Sequence, residues 1–459
     1  MKRVAAIAAL LLAGCASGPD YVRPDAPAQA AWRHAGQDWK PAEPRDAVPR
    51  GVWWTRFGDA QLDRLAAQAA RANFSVVAAD ARYRQAQAAT RQARAALFPG
   101  ADAGLAVSRS RAPGATGTAR SMQLDFDVSW EPDLWGRIAR GVEAGEAGAA
   151  AAAADLESVR LSVVAALVQN YFSLRIADAQ ARLLRETIAG YAQTLKVTQN
   201  RYAAGVAAKS DVVQAETQLK GAQAQLADLA LSREQLQNAI AVLAGETPAA
   251  LSVEPAQALA GVPHIPTGLP SELLERRPDI AAAERRVAAA NARIGVAQAA
   301  FYPSLLLSGG GGTRSPGIAD LLSAPTRFWS LGAAAVQFLF DGGAREAVAE
   351  QARAAYDAEV ALYRDTVLGA FQEVEDNLAA LRILAEEIAF QQDAVRAARQ
   401  SLEMTNNRYK AGTASFLEVI TVQNIALANE RSLLALQGRR LNAAVLLVKA
   451  LGGGWEPAR

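Results

Sequence analysis

The hydrophobic positions of this chain recur mainly at the three-to-four-residue spacing of a helix that packs along one face. The stretch from about Ala344 to Tyr409 contains no proline and one internal glycine, Gly369. At 1.5 Å per residue, one helix over this stretch would be roughly 100 Å long. Its coiled-coil seam comprises Val360, Val367, Phe371, Val374, Leu378, Leu381, Ala385, Ile388, Val395 and Leu402. Such a helix is too long for a compact domain and predicts a rod or a tube.

The same pattern occurs twice. The sequences NRYAAG and NRYKAG begin at Asn200 and Asn407, and 407 − 200 gives an offset of 207. The first long helix is predicted from about Arg137 to Tyr202, and a second helix follows each glycine break. The seam of the first of these partner helices comprises Leu219, Leu226, Leu229, Leu236, Ile240 and Leu243. Each half therefore reads as helix, strand-like hairpin, very long helix, glycine break and long helix, so the chain is a tandem repeat.

Segments with a period of two separate the helices. Ser121–Asp133 places apolar residues on one face and polar residues on the other, which suits a strand between water and either lipid or a core. A second strand-like segment, Gly100–Arg111, precedes it. The alternation is weaker in Pro303–Arg314 and Phe328–Gly343, so these two segments are equally compatible with soluble hairpins. Four strands cannot close a transmembrane barrel, since about eight are the minimum. If the strands enter a membrane, several chains must share the barrel. Three copies would give twelve strands, twelve helical strands and pseudo-sixfold symmetry.

The N-terminal sequence MKRVAAIAALLLAGC has a basic start and an apolar run too short to span a bilayer, which predicts an export signal. LAGC resembles a bacterial lipobox, which implies cleavage before Cys15 and lipidation at that residue. An ordinary signal peptide with an incidental cysteine is the alternative. Ala16 and Ser17, with no aspartate after Cys15, imply sorting to the outer membrane. No other apolar run reaches about 20 residues, so no transmembrane helix is expected.

Composition and motifs argue against nucleic-acid binding, metal binding and catalysis. The net charge is +2 with acids and bases interspersed, and without a basic stripe nucleic-acid binding has no support. His34 and His264 lie apart in proline-rich stretches, so no metal site is predicted. The glycine run Ser308–Arg314 lacks the lysine of a phosphate-binding loop, and no nucleophile–base set is apparent. We therefore predict no catalytic, cofactor-binding or metal-binding residues and no cofactor beyond the lipid on Cys15.

Several motifs together carry a family resemblance that extends over nearly the whole length. They are CASGPDYVRP, WWTRFGDAQLDRL, WEPDLWGR, RYAAG, RRPDIAAAERRVAAANARIGVAQAAFYPSL, LFDGG, RYKAG and LGGGW. The chain resembles the outer-membrane efflux lipoproteins of the TolC-like outer-membrane factor family, of the NodT type, which serve resistance–nodulation–division pumps. The resemblance implies a mainly α fold with a small β part: a homotrimer with a helical barrel and a shared twelve-stranded β-barrel. It also implies a periplasmic adaptor and an inner-membrane pump as partners, and no enzymatic activity.

This interpretation divides the chain into ten segments, and those called equatorial belong to a mixed domain that the resemblance implies around the helical barrel. They are a signal peptide (1–14), a lipidated extended segment (15–58), helices (59–97), β-barrel hairpin 1 (98–136), helical hairpin 1 (137–245), an equatorial linker (246–275), a helix (276–301), β-barrel hairpin 2 (302–343), helical hairpin 2 (344–451) and an equatorial tail (452–459).

The resemblance places the two glycine breaks at the periplasmic entrance, as the tips of helical hairpins. The predicted adaptor-docking and gating residues are Arg201, Tyr202, Gly205, Arg408, Tyr409 and Gly412. The alternative is that each motif only stops a helix: a glycine can take a left-handed conformation there, and Ser210 can cap the next helix. Asp211 and Glu418 occupy equivalent positions and could form a ring of entrance carboxylates, or could simply suit the first turn of a helix. Thr421 stands where family members often carry an aspartate, which argues against such a ring.

The sequence thus predicts a lipid-anchored outer-membrane channel of a tripartite efflux system, a passive exit duct for small toxic compounds that extends into the periplasm. A non-porous coiled-coil lipoprotein that spans the periplasm is the first alternative. A duct for secreted proteins is the second, because the cargo depends on the partner. The identity of the exported compound is not encoded in these patterns.

Overall fold

The computed structural model describes residues 17–27, 51–114, 116–255, 261–263, 265 and 276–453. The helices there are α1 (Ala60–Ala72), α2 (Phe74–Ala95), α3 (Arg137–Ala203), α4 (Lys209–Ala244), α5 (Pro278–Ala299), α6 (Ala344–Lys410) and α7 (Phe416–Ala450). The strands are β1 (Gly100–Ser110), β2 (Ala119–Trp130), β3 (Ser304–Ser315) and β4 (Arg327–Val336). Short 3-10 helices occupy Trp53–Phe57, Pro248–Ala250, Ile318–Asp320 and Ala324–Thr326. The predicted mainly α fold with a small β part is confirmed.

The two very long helices begin and end where the sequence predicts. The helix expected from about Ala344 to Tyr409 is α6, and its counterpart is α3. The aspartates of the motifs WEPDLWGR and LFDGG each cap one of these helices at its start. Asp133 accepts hydrogen bonds from the amides of Ile138 and Ala139, at 2.9 and 2.6 Å. Asp341 accepts from the Arg345 amide at 3.2 Å. These carboxylates satisfy amides that have no partner in the first turn of a helix. None of the helices in the described ranges is both long and apolar enough to cross a membrane.

The described residues form two compact units. Residues 17–26, 81–154 and 282–366 form the unit that contains the sheet. The described parts of 27–80, 155–281 and 367–453 form the other unit, which contains both helix reversals. Helices α3 and α6 contribute residues to both.

The four strands form one antiparallel sheet in the order β1-β2-β3-β4. The two predicted hairpins are therefore not separate, because β2 pairs with β3 and sets Asp127 opposite Gly310. The strand prediction up to Gly343 was too long. β3 begins at Ser304, which pairs with Val336, so the chain beyond Val336 has no strand to pair with. Gly342 and Gly343 then take positive φ angles of 65° and 90° before α6.

The sheet is apolar on one face and polar on the other. Leu105, Phe126, Trp329 and Leu331 lie on the apolar face, with exposed fractions of 66%, 59%, 78% and 81%. The polar face carries Asp102, Gln123, Asp125, Asp127, Ser308, Arg314 and Ser330. Side chains alternate across a strand, so the predicted period of two separates most of the apolar side chains from the polar ones; Leu306 and Phe328 are exceptions on the polar face. Within one chain, β1 and β4 are the edges of the sheet.

The core of the second unit gathers around the WWTRFGD motif. Trp53, Trp54 and Phe57 are buried, and the Phe57 ring lies 4.8 Å from that of Phe172 in α3. Oδ1 of Asp59 accepts the Gln61 amide at 2.9 Å to cap α1, and Oδ2 accepts the Tyr171 hydroxyl at 2.5 Å. One carboxylate thus begins a helix and fixes it against α3.

Candidate functional site

Both predicted reversals are helix C-terminal caps of the same kind. Gly205 and Gly412 take φ angles of 74° and 78°, in the left-handed region that glycine enters without steric cost. In the first reversal the Gly205 amide donates to the Tyr202 carbonyl and the Val206 amide to the Arg201 carbonyl, both at 2.9 Å. The second reversal repeats this pair of hydrogen bonds, Gly412 to Tyr409 and Thr413 to Arg408, at 3.0 and 2.9 Å. This is a Schellman motif, and the predicted left-handed glycines are confirmed.

The two reversals differ where the next helix begins. The N-cap of α4 is Ala208, whose side chain makes no capping hydrogen bond, so the prediction that Ser210 caps this helix was wrong. At the equivalent position, 208 + 207, α7 has Ser415, whose hydroxyl accepts the Glu418 amide at 3.3 Å. The Glu418 carboxylate accepts the Ser415 amide at 2.9 Å, which completes a capping box. A capping residue is worth about 1 kcal/mol, so α7 has a firmer start than α4.

The two predicted entrance carboxylates accordingly have different surroundings. Glu418 is held by Ser415 and lies 3.5 Å from Arg408, within its own reversal. The Ser415 amide and hydroxyl, then the Arg408 charge, lower the pKa of Glu418. Asp211 is partly exposed in the first turn of α4, where its amide donates to the Ala208 carbonyl. An acidic ring remains a prediction, and Glu418 already serves as a cap.

The two equivalent tyrosines have opposite environments. Tyr409 is 6% exposed, whereas Tyr202 is 46% exposed. The Tyr409 hydroxyl lies 3.2 Å from Thr198 Oγ1, and the Arg201 guanidinium lies 4.7 Å from the centre of the Tyr409 ring. Arg201 also donates a 2.7 Å hydrogen bond to the Tyr409 carbonyl. Tyr409 therefore joins the second reversal to the first and has little surface left in the single chain for an adaptor.

A small apolar cluster supports this junction. Tyr409, Phe416, Val419 and Ala215 are its buried members, and the Tyr409 and Phe416 rings are 5.7 Å apart. Sequence reasoning missed Thr198 and Phe416. Thr198 had a signal, because Thr405 repeats it at the same offset of 207. Of the six residues predicted at the tips, Arg201 and Tyr409 link the reversals, while Tyr202, Gly205, Arg408 and Gly412 are exposed.

Cys15 and both histidines lie outside the described residues, so the lipidation prediction falls there too. Ser17, the first described residue, donates its amide to the Trp135 carbonyl at 3.0 Å. Arg140 then binds Asp20 at 2.8 Å and donates to the Ser17 carbonyl at 3.2 Å. The segment that begins at Ser17 is thus fixed at the junction of β2 and α3. Among the residues that the structure describes, no group of three or more His, Cys, Asp or Glu side chains could hold a metal ion.

Comparison with known proteins agrees with this geometry. The family model of the outer membrane efflux protein matches residues 65–246 and 269–453, one match in each half of the repeat. The chain is 31% identical to the probable efflux pump outer membrane protein TtgC of Pseudomonas putida, covering 98% of this chain and 95% of that protein. It is 32% identical to the pyoverdine export outer membrane protein OpmQ of Pseudomonas aeruginosa, covering 100% and 98%. The solved structure of the outer-membrane channel OprN matches with a TM-score of 0.87 and 31% identity, covering 96% of this chain and 100% of that one.

Proposed function

This chain belongs to the outer membrane efflux protein family, and on that premise we propose that it is the outer-membrane channel of a tripartite efflux system. It is a passive exit duct without catalysis of its own, and an inner-membrane pump and a periplasmic adaptor deliver small toxic compounds to it. The name of its relative OpmQ, a pyoverdine export protein, supports export of a small molecule rather than of a protein.

The observation that carries this proposal is the sheet. Its exposed apolar face suits lipid, and its opposite face lines up carboxylates, serines and an arginine suited to water. An open sheet edge is not tolerated in lipid, because each unpaired amide there costs several kcal/mol. Strands β1 and β4 are such edges in one chain, and four strands are too few to close a barrel. Three copies, each contributing four strands, close a twelve-stranded barrel, so the channel is a homotrimer.

The helical reversals form the periplasmic entrance of the proposed duct. With two reversals per chain, a trimer places six around one opening. Gly205 and Gly412 at the turns offer the surface for the adaptor, and Tyr202 and Arg408, which are exposed in the single chain, flank them. Arg201 and Tyr409 contribute indirectly, because their contact holds the two reversals together. An adaptor that separates the reversals would therefore open the duct.

The protein is held in the outer membrane both by its barrel and by lipid on Cys15. Two or more acyl chains give stable anchoring, whereas one alone binds reversibly. The hydrogen bond between Ser17 and Trp135 supports this assignment, because it holds the chain close after Cys15 beside the end of β2, at the boundary of the membrane-facing sheet.

The test combines purified protein with cells. Trimers that conduct ions in planar bilayers, together with hypersensitivity of a deletion strain to a panel of toxicants, are the expected results. A photo-cross-linker at the exposed Val206, next to Gly205, should recover the adaptor, and the adaptor should bring the pump. If the purified protein forms no pore, it is a non-porous scaffold. If it forms a pore but the deletion strain fails to secrete a protein and keeps its resistance, it is a secretion duct.

A further inference from the structure

The contact between the two reversals of one chain is encoded twice in the sequence. Within the chain, Arg201 of the first reversal contacts Tyr409 of the second. An offset of 207 carries Arg201 to Arg408 and Tyr409 back to Tyr202, and both residue types are retained. The second reversal thus possesses the arginine of this contact, and the first reversal possesses the tyrosine. Both Arg408 and Tyr202 are exposed in the single chain.

We propose that Arg408 of one chain stacks on Tyr202 of a second copy of this chain, repeating the Arg201–Tyr409 contact across the seam between subunits. The inference rests on the trimer proposed above. If the ring is pseudo-sixfold, the face that the first hairpin presents to the second is also the face that the second presents to the next chain. Six arginine–tyrosine contacts then surround the opening, three within chains and three between them.

The exposure of the two residues supports this pairing. Tyr202 is 46% exposed while its counterpart Tyr409 is buried, and a large aromatic ring at the tip of a hairpin is well suited to an interface. The Arg408 side chain is 55% exposed, and its contacts within the chain are a 3.5 Å approach to Glu418 and a 3.2 Å hydrogen bond to the Thr413 carbonyl. Thr405, the counterpart of Thr198, is already buried by its own chain. The contact between chains therefore repeats the stacking of the guanidinium on the ring, but not the contact that the Thr198 hydroxyl makes within the chain.

The contact within a chain has more apolar packing around it than the proposed contact between chains. Tyr409 packs on Phe416, but the position equivalent to Phe416, 416 − 207, is Lys209. Tyr202 therefore has no aromatic neighbour from its own reversal at that position, and the apolar cluster around Tyr409 has no matching member there. The seams between subunits are consequently the weaker ones, and the ring of reversals opens along them first.

The test uses a photo-cross-linking amino acid, p-benzoylphenylalanine, in the full-length trimer. Placed at Tyr202, it should produce covalent dimers and trimers, with attachment in residues 404–409 of another chain. Placed at Tyr409, it should attach within the same chain and leave the mass of the band unchanged. Val206 is 65% exposed on the same reversal but outside the expected contact, and serves as the control position.

A second readout concerns gating. Tyr202→Ala should raise the open probability of the channel in planar bilayers about two- to five-fold for each arginine–tyrosine pair that it removes from a seam, the range expected for an exposed cation–π pair. Tyr202→Phe keeps the ring and should leave the open probability unchanged. If trimers form and conduct but the probe at Tyr202 never joins two chains, the seam contact is wrong and the channel function stands. If no trimers form, both proposals fail.

Discussion

The guanidinium of Arg201 lies over the ring of Tyr409 at 4.7 Å, and its Nη1 donates a hydrogen bond to the carbonyl of the same residue at 2.7 Å. Arg201 lies in the last turn of α3 and Tyr409 in the last turn of α6, so one side chain links the two reversals of the chain. Because it contacts both the ring and the backbone, this arginine determines the position of the second reversal as well as its packing.

Arg201→Ala should loosen both reversals. It removes a cation–π contact and a charge-assisted hydrogen bond, together worth about 2–3 kcal/mol of local opening free energy. Hydrogen exchange of peptides covering 196–206 and 407–416 is the measurement. Arg396→Ala in α6, the helix that carries Tyr409, is the matched control, since Arg396 pairs with Asp393 on the surface, where an ion pair contributes at most about 1 kcal/mol. Equal protection in the two variants would contradict the role assigned to Arg201.

The same substitution should have opposite effects at two glycines of this part of the chain. Gly412→Ala forces a β-carbon into a left-handed conformation and should destabilise the reversal by about 1–2 kcal/mol, although the space around it is open. Gly369→Ala lies within exposed helix of α6 and should stabilise it by about 0.5–1 kcal/mol. Gly412→Asn should cost less than alanine. Local exchange rates at each site measure the effect, and a bulky residue at Gly412 that left both efflux and adaptor cross-linking unchanged would show that this tip does not dock.

The sequence predicted the long helices, their offset and the left-handed glycines, because a helical seam and a glycine break are local properties. It also predicted strands but extended β4 by seven residues, 337–343, since the end of a strand depends on where its neighbour β3 begins. The caps were harder. Ala208 and Ser415 occupy equivalent positions, yet a search for a polar residue near the break found Ser210. Tyr202 and Tyr409 have the same motif around them, and only the packing of one hairpin on the other shows which ring is buried.

Acid should weaken the start of α7 but not that of α4. Hydrogen bonds from Ser415, and then the Arg408 charge, lower the pKa of Glu418 below its ordinary value of 4.5. A carboxylate with a lowered pKa contributes stability above its unfolded value, and this stability is lost as the pH falls through the folded value. Exchange protection at Ser415 and Glu418, corrected for the intrinsic rate, should therefore fall below about pH 4.5. Glu418→Gln should abolish this pH dependence, and a similar fall at the uncapped start of α4 would refute the assignment.

Substitutions at two neighbouring residues in the middle of β1 distinguish a membrane-spanning sheet from a soluble one. Leu105 pairs with Leu124 on the apolar face, and Ala106 pairs with Gln123 on the polar face. Lysine at Leu105 would face lipid and should cost about 2–4 kcal/mol per chain, because a charge near the middle of the bilayer loses its hydration. Leu105→Lys should therefore deplete trimers from the outer membrane. Ala106→Lys should still assemble and shift ion selectivity toward anions, because it adds positive charge beside the Asp125 and Asp127 face.

Trimer yield in outer-membrane fractions and reversal potentials in planar bilayers measure these two effects, with Leu105→Val and Ala106→Gln as controls for side-chain size. In a soluble hairpin both positions face water, and neither lysine would impair assembly more than the other. Equal yields would therefore favour the non-porous scaffold. A loss confined to Leu105→Lys would mean that the apolar face of the sheet contacts lipid, and a selectivity change confined to Ala106→Lys would mean that the polar face lines the exit of the duct.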